Sequence, residues 1–295
     1  MGIALPDRLR EVVPGEDILV WREALYEGPI SVAFTDPATR EARPALFTEK
    51  GVPEGLFRRY TEEQETVLER YREHDEVVLW FEHDLFDQTL LIYLLQWLAA
   101  RERGAVSINL VCIDSFPGVH PFKGLGQLST KQTASLYGSW KEVTVEQFQL
   151  ARQAWEAYAG SNPEALVFLL NRDISALPYL YRAILCHLRR FPSVRNGLSA
   201  VQEAILEGVA NGIVQPVSLF AQISNQFNDL GMGDVQFWAE LDELVHAEHP
   251  VIELEGGRLP DYSGNLDSDS LRYVRIRPTS LGCELLQGRA DYVHV

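Results

Sequence analysis

Three ionisable side chains, those of Glu82, His83 and Asp84, directly follow a run of five apolar residues at positions 77–81. A valine-containing run of this kind is typical of a strand that is buried on both faces of a parallel sheet. The strongly apolar segment that begins at Leu85 predicts a helix, so the three side chains lie in a β-to-α turn. Ligands bind at this edge of open α/β sheets. This acidic turn, residues 82–84, therefore predicts general acid–base catalysis or a divalent-metal site. Glu82 or Asp84 would be the base or metal ligand and His83 the proton carrier.

Two further apolar runs predict strands with polar ends. Residues 18–21 precede Arg22 and Glu23, and residues 106–113 precede Asp114. Parallel strands present their carboxyl ends at one edge, so we expect these side chains to meet the acidic turn in one pocket, where Arg22 holds an anion. An ordinary surface ion pair between Arg22 and Glu23 and a turn role for Asp114 are the structural alternatives.

A glycine-containing loop, Lys123-Gly124-Leu125-Gly126, precedes a helix that Ser129 is predicted to cap. Glycines ahead of a helix allow backbone amides to approach an anion, and Lys123 would add positive charge. No strand directly precedes the glycines, so the loop is neither a Walker loop nor a dinucleotide fingerprint. We expect Lys123, Gly124 and Gly126 to bind the anionic part of a ligand, with a structural turn as the alternative.

The acidic turn also has a purely structural interpretation. Asp84 would cap the helix and Asp87 would oppose the helix dipole from the first turn, which together stabilise a helix by about 1 kcal/mol. Geometry limits how many groups can converge. On an extended chain Glu82 and Asp84 face one side and His83 the other, whereas on a helix His83 would face Asp87.

The sequence pattern predicts two domains. Residues 1–192 are predicted to form an α/β domain with a short, mainly parallel, Rossmann-like sheet and a helical extension. Within it, residues 31–60 lack clean periodicity and are predicted to be mostly irregular, with a short helix near Leu56. Capping boxes predict that further helices begin at Thr61 and Thr144.

Residues 193–295 are predicted to form a winged-helix-like domain. Ser199 is expected to cap the first of three helices and Asp234 the third. Two short apolar runs, 251–254 and 273–276, predict a two-stranded wing, and a final helix follows it.

The charge distribution argues against nucleic-acid binding. The chain carries a net charge of −16, and residues 196–257 contain no Lys or Arg. Nucleic-acid affinity depends mainly on Lys and Arg neutralising phosphates, and the third helix of this region, which would enter the major groove of DNA, is acidic. A contact with a partner protein, or with a second copy of the chain, is favoured over DNA binding.

Cysteine usage and hydropathy predict a cytoplasmic protein. Cys112, Cys186 and Cys283 are widely spaced and form no C-x-x-C motif, which predicts neither a disulfide framework nor a cysteine zinc site. The N-terminus has no signal-peptide pattern, and the most apolar segment, residues 89–100, is too short to cross a bilayer. No motif indicates a particular cofactor or metal.

Several motifs resemble those of the bacterial domain of unknown function 1835 family. In the N-terminal part they are Val20-Trp21-Arg22-Glu23, Glu27-Gly28-Pro29, the stretch from Leu79 to Gln88, and Gly124-Leu125-Gly126-Gln127-Leu128. The domain commonly attached to that family is similar to Asn196-Gly197-Leu198-Ser199, Gly233-Asp234 with Phe237-Trp238, and residues 279–282. The resemblance covers nearly the whole chain and implies no established activity. Family members usually begin with an additional strand and a Gly-Asp-Ser-like turn, whereas this chain opens at Met1-Gly2-Ile3-Ala4, so one wall of a ligand pocket is expected to be missing.

Together these patterns predict a protein that binds a small anionic or phosphorylated metabolite at the carboxyl edge of the sheet. If the protein is an enzyme, hydrolysis or group transfer is expected. The alternative is a non-catalytic regulatory or adaptor protein whose acidic C-terminal domain contacts another protein.

Overall fold

The protein has an α/β structure with one sheet of three strands and one of two. The computed structural model describes residues 4–13, 17–33, 36–102, 104–261 and 270–295. Contacts within the chain divide it into two compact units, Met1–Leu46 with Glu54–Ile184 and Phe47–Pro53 with Leu185–Val295. The domain boundary near residue 192 stays a prediction.

The elements up to residue 188 are α-helices and three short strands. In chain order they are α1 (Ala4–Val12), α2 (Pro37–Glu49), α3 (Leu56–Glu69), β1 (Glu76–Glu82), α4 (Leu85–Ala99), β2 (Ser107–Ile113), α5 (Thr130–Ser135), β3 (Lys141–Glu142), α6 (Val145–Ala159), α7 (Glu164–Leu170) and α8 (Leu180–Leu188).

The centre of the first unit is the β1–α4–β2 segment, and here the sequence prediction is confirmed. β1 and β2 pair in parallel over seven positions, from Glu76 opposite Ser107 to Glu82 opposite Ile113. The short strand β3 pairs antiparallel with β2, so the sheet is mixed. α4 is buried around nearly its whole circumference, because strand β1 and helix α6 both pack against it.

The prediction of a first strand at residues 18–21 is wrong. Residues 17–24, all of them described, form no strand. The backbone amide of Arg22 donates 2.8 Å to Gln64 Oε1 on α3 instead of to a neighbouring strand. The Trp21 ring packs against Tyr93 of α4, with ring centroids 6.0 Å apart. The apolar run therefore covers α4 and does not extend the sheet, so only two of the three predicted strand ends lie at a common sheet edge.

Residues 31–60 are more ordered than the sequence predicts. Helix α2 spans 13 residues of this stretch and contains Pro44 in its interior. Helix α3 already begins at Leu56, which makes the predicted capping box at Thr61 wrong: the Thr61 hydroxyl lies inside the helix and donates 3.1 Å to the Phe57 carbonyl. The prediction failed because a Thr-x-x-Gln pattern, which is typical of a helix start, is also compatible with a helix interior.

Three other predicted caps are confirmed by hydrogen bonds in both directions of a capping box. The three boxes pair Ser129 with Gln132, Thr144 with Gln147 and Ser199 with Gln202. These motifs involve residues only three positions apart, so local sequence is sufficient to specify them.

The second unit contains three helices, an antiparallel strand pair and a final helix. The elements are α9 (Ala200–Ala210), α10 (Pro216–Gln226), α11 (Asp234–His246), β4 (Ile252–Glu255), β5 (Arg275–Pro278) and α12 (Ser280–Leu286). Gly233, and not Asp234 as predicted, is the N-cap of α11, and its amide donates 3.1 Å to Gln236 Oε1. Phe237 and Trp238 are buried in the core, as predicted.

Hydropathy and cysteine chemistry agree with the sequence expectations. Among the described residues, no helix is both long and apolar enough to cross a membrane. Cys112, Cys186 and Cys283, which all lie in the described part of the chain, form no disulfide and are half-buried.

Candidate functional site

The glycine loop lies against the carboxyl end of β1 because its apolar side chains pack on the sheet. Phe122, Leu125 and Leu128 form a buried cluster against which Trp80 of β1 and Ile113 of β2 pack. This packing places the loop's backbone amides at the strand ends.

The loop holds a carboxyl group of the chain itself. Oε1 of Glu82, the last residue of β1, accepts a 2.5 Å hydrogen bond from the Leu125 amide, and the Gly126 amide also bonds this carboxyl. Gly124 has φ +142°, and a Cβ at that position would overlap the Glu82 carboxyl oxygens. Only glycine allows the loop to close on Glu82. The backbone amides that were predicted to bind a ligand anion therefore already bind Glu82.

A second carboxyl group lies directly beside Glu82. Oδ2 of Asp87, in the first turn of α4, accepts 2.5 Å from the Glu82 amide. Burial, followed by the charge of the neighbouring carboxylate, raises the pKa of both groups to about 8; the neighbour is Asp84 for Glu82 and Glu82 for Asp87. Backbone amide donors oppose the shift but do not cancel it. The Glu82–Asp87 pair therefore keeps a proton at neutral pH.

Asp84 has the structural role that was the alternative to catalysis. Its Oδ1 accepts 2.9 Å from the Asp87 amide, which makes it the N-cap of α4. His83 precedes the N-cap of α4, so the helical geometry that would place it opposite Asp87 does not apply. A catalytic base role for Asp84 would compete with this cap.

Two side chains brace the end of β1 against β2. Gln88 Nε2 donates 2.6 Å to the Glu82 carbonyl and lies 3.4 Å from Cys112 Sγ. Burial raises the pKa of the Cys112 thiol to about 12. The thiol therefore stays protonated at neutral pH and is not a nucleophile there.

The ends of β1 and β2 meet through a residue that the sequence did not single out, Tyr179. The buried His83 ring packs against Phe122 and Tyr179, with ring centroids 6.1 and 6.4 Å apart. The Tyr179 hydroxyl bonds Asp114, and burial, followed by the Asp114 charge, raises the pKa of Tyr179. Arg182 lies one helical turn further along and places Nη1 3.9 Å from Asp114 Oδ2. Tyr179 and Arg182 belong to a stretch whose only sequence signal was helical periodicity.

The remaining predicted ligand-binding residues are Arg22, Glu23 and Lys123, and of these Arg22 and Glu23 make other contacts. Arg22 is exposed, with its guanidinium 5.2 Å above the Tyr60 ring. Glu23 is buried and pairs with Arg43, which corrects the expected surface ion pair between Arg22 and Glu23. Lys123 is exposed, and its amide donates 2.5 Å to Gln127 Oε1.

Glu23 is held by Arg43 of α2 and by the Ala24 amide, not by a group of the acidic turn. The common pocket was inferred for Glu23 from a first strand that the sheet does not contain.

The divalent-metal interpretation lacks a ligand set. Within the part of the chain that the structure describes, no three His, Cys, Asp or Glu side chains lie close enough together to hold a metal ion. Asp84 Oδ1 and Asp87 Oδ2 each accept a hydrogen bond from a backbone amide.

Comparison with known proteins adds no assignment. No protein-family model, curated protein or solved structure matches this chain.

The carboxyl pair makes stability depend on pH. From ordinary values of 3.8 and 4.5, both pKa values rise to about 8, so between pH ~4 and ~8 the folded state binds more protons than the unfolded chain. The free energy of unfolding should therefore fall as pH rises through this range, by up to about 1.4 kcal/mol per pH unit for each proton held. Urea denaturation from pH 5 to 8.5 measures this slope.

The matched variants for this experiment are Asp87→Asn and Glu156→Gln. Asp87→Asn keeps an oxygen acceptor for the Glu82 amide and removes one carboxyl, so its slope should be clearly shallower. Glu156 lies on the exposed face of α6 beside Arg152, and its replacement should leave the slope unchanged. Parallel curves for the wild type and Asp87→Asn would show that the pair does not hold the proton.

Proposed function

We propose that this protein binds a small anionic or phosphorylated metabolite at the carboxyl edge of β1 and β2. The observation that carries the proposal is Tyr179, which contacts the His83 ring from one strand end and bonds Asp114 at the other. Polar groups from three separate segments thus meet at the edge where α/β sheets bind ligands.

A half-exposed guanidinium supplies the positive charge for such a ligand. The Arg182 and Asp114 side chains are 52% and 39% exposed and lie at the outer limit of an ion pair, 3.9 Å apart. Exposed pairs of this kind are weak, so Arg182 can exchange Asp114 for a ligand anion, which a guanidinium binds in bidentate fashion. Lys123, exposed on the adjoining loop, adds a second cation.

The reaction that this site would support is hydrolysis or group transfer. The Glu82–Asp87 pair keeps a proton at neutral pH, which is the property required of a general acid. His83, between Phe122 and Tyr179, is the proton carrier in this scheme. Glu82 replaces Asp84 as the preferred acid or base, because Asp84 caps α4.

The finer fold and family assignments belong to the same proposal. We infer a Rossmann-like first unit, supported by the parallel β1–α4–β2 arrangement, and a winged-helix-like second unit, supported by three helices and an antiparallel strand pair. The motifs listed above support membership of the domain of unknown function 1835 family. A cytoplasmic location is proposed on the three free cysteines, since disulfides are rare in cytosolic proteins.

A regulatory or adaptor function is the second candidate, supported by the surface of the second unit. Most acidic residues of its cation-free stretch are exposed, namely Glu207, Asp234, Asp242, Glu243, Glu248, Glu253 and Glu255. A mainly acidic surface favours a partner with basic groups and repels nucleic acid.

A thermal-shift screen distinguishes the two candidates. Inorganic phosphate, nucleotides and sugar phosphates are tested, since a ligand at 100 times its Kd stabilises the folded state by about 2.7 kcal/mol. For a unit of this size, that corresponds to roughly 5–10 °C in Tm. We expect a shift with at least one phosphorylated compound.

Variants locate the binding site. Arg182→Gln should abolish most of the shift and Tyr179→Phe should reduce it, while the exposed Arg152→Gln on α6 serves as the control. If no compound shifts the wild type, or if Arg182→Gln behaves like Arg152→Gln, the adaptor function is preferred.

A further inference from the structure

A second polar cluster is buried in the first unit, outside the sheet edge. Its centre is the ion pair between Glu23 and Arg43, whose side chains are 1% and 3% exposed. Arg43 also donates 2.8 Å to the Glu27 carbonyl and 3.0 Å to the Pro29 carbonyl. A buried pair of this kind is costly to desolvate, so its polar atoms need hydrogen-bond partners.

A cavity of about 40 Å³ opens beside this pair. A water molecule needs about 10–15 Å³ of such space, so the cavity accommodates roughly three or four water-sized groups. Its charged lining consists of three guanidinium groups and three carboxyl groups, those of Arg40, Arg43, Arg58, Glu23, Glu62 and Glu65. Phe57 and Pro44 supply an apolar wall.

One oxygen of Glu23 lacks a hydrogen-bond donor. Oε1 accepts from Arg43 and, at 3.0 Å, from the Ala24 amide. Oε2 is buried and accepts no hydrogen bond from any described residue. A buried carboxyl oxygen without a donor is energetically costly, so a donor is expected from whatever occupies the cavity that Glu23 lines.

The rim of the cavity carries an exchangeable cation. Arg58 binds Glu41 through two hydrogen bonds of 3.0 and 3.2 Å, but the two side chains are 45% and 71% exposed. Solvent screens such a pair. Arg40, by contrast, is held by both oxygens of Glu65, at 2.8 and 2.6 Å, so Arg58 is the guanidinium that can turn to a ligand.

We propose that this cavity binds a small zwitterion of the α-amino-acid type, with its ammonium donating to Glu23 Oε2 and its carboxylate paired with Arg58. The balanced lining disfavours a ligand with net charge, because an anion would meet three carboxyl groups and a cation three guanidinium groups. A zwitterion meets a complementary group at each end. The site is independent of the anion site proposed at the sheet edge.

Isothermal titration with glycine and L-alanine tests the proposal. Acetate and methylammonium represent the two halves of the ligand and should bind at least tenfold more weakly than the zwitterions. Glu23→Gln replaces the accepting oxygen with an amide group, and Arg58→Gln removes the carboxylate partner; each should weaken binding at least tenfold. Glu63→Gln, on the exposed face of α3, should bind as the wild type does.

Arg58→Gln keeps the test decisive if Glu23→Gln does not fold, because Arg58 lies at the surface. Absence of binding by glycine and L-alanine at 20 mM would overturn the proposal, as would wild-type affinity in Arg58→Gln. Methylammonium binding as tightly as glycine would also overturn it, because the carboxylate would then contribute nothing. None of these outcomes depends on phosphate binding at the sheet edge.

Discussion

Replacement of Gly124 by alanine is expected to lower the free energy of unfolding by about 3–5 kcal/mol. The left-handed backbone conformation at φ +142° costs an L-residue about 1–2 kcal/mol. The new Cβ would also displace the Glu82 carboxyl from its hydrogen bonds with the loop amides. Each hydrogen bond from a backbone amide to a charged or partly charged carboxyl is worth about 1.5–3 kcal/mol. Urea denaturation followed by circular dichroism, at a pH where the wild type is fully folded, measures the loss.

Gly126→Ala is the matched control for Gly124→Ala. Gly126 lies two positions further along the same loop, and a Cβ there would meet no atom within 4 Å. Its replacement should change the free energy of unfolding by less than about 1 kcal/mol, in either direction. The double variant Glu82→Ala/Gly124→Ala should be more stable than the sum of the single losses predicts, because the Cβ then has no carboxyl to displace. Equal effects of the two glycine replacements would contradict the assignment of Gly124.

Replacement of Arg43 by methionine is expected to destabilise the protein by about 3–5 kcal/mol, the range for removal of one partner from a buried ion pair. Glu23 would be left buried without its cation, and burial already raises its pKa despite Arg43. The backbone carbonyls of Glu27 and Pro29 would lose their donor as well. Thermal and urea denaturation of the variant measure the effect, and acidic pH should recover part of it because Glu23 can then be protonated.

Two further variants separate the charge effect from a general packing effect. In Glu23→Leu/Arg43→Met both buried charges are removed, and a large part of the lost stability should return. Arg58→Met removes the exposed pair with Glu41 and should leave urea denaturation unchanged within error. If Arg43→Met unfolds at the urea concentration of the wild type, the Glu23–Arg43 pair does not stabilise the fold.

The carboxyl groups of Glu23 and Glu82 differ in what holds them. Glu82 accepts hydrogen bonds from backbone amides of the glycine loop and lies next to Asp87, so it titrates together with a second acid. Glu23 forms an ion pair with the Arg43 guanidinium, which opposes the effect of burial on the pKa of Glu23. The first arrangement is suited to storing a proton, and the second to fixing an oriented carboxyl group beside a cavity.

Local sequence was sufficient for the centre of the fold. The apolar run before Glu82, the apolar helix after Asp84 and the second run up to Ile113 each carry their signal within a few residues, and all three elements are present as predicted. The same is true of the capping boxes at Ser129, Thr144 and Ser199. The helix and the capping boxes depend on backbone groups three or four positions away, and the strands are marked by short apolar runs, so residue type and spacing indicate all of them.

The tertiary structure decided which polar groups meet. Glu82 bonds an amide 43 positions further along the chain, and Glu23 pairs with a guanidinium 20 positions away. No local pattern encodes either partner, because both contacts arise when apolar surfaces pack: the glycine loop on the sheet, and residues 18–21 on α4. The sequence by itself determined that residues 82–84 end a buried strand at the edge of a sheet, since hydrophobic periodicity is a local property. Only the tertiary structure determined that the amides of the glycine loop bind Glu82, that Tyr179 joins the two strand ends and that Glu23 pairs with Arg43. These partners follow from the close packing of segments that are far apart in sequence.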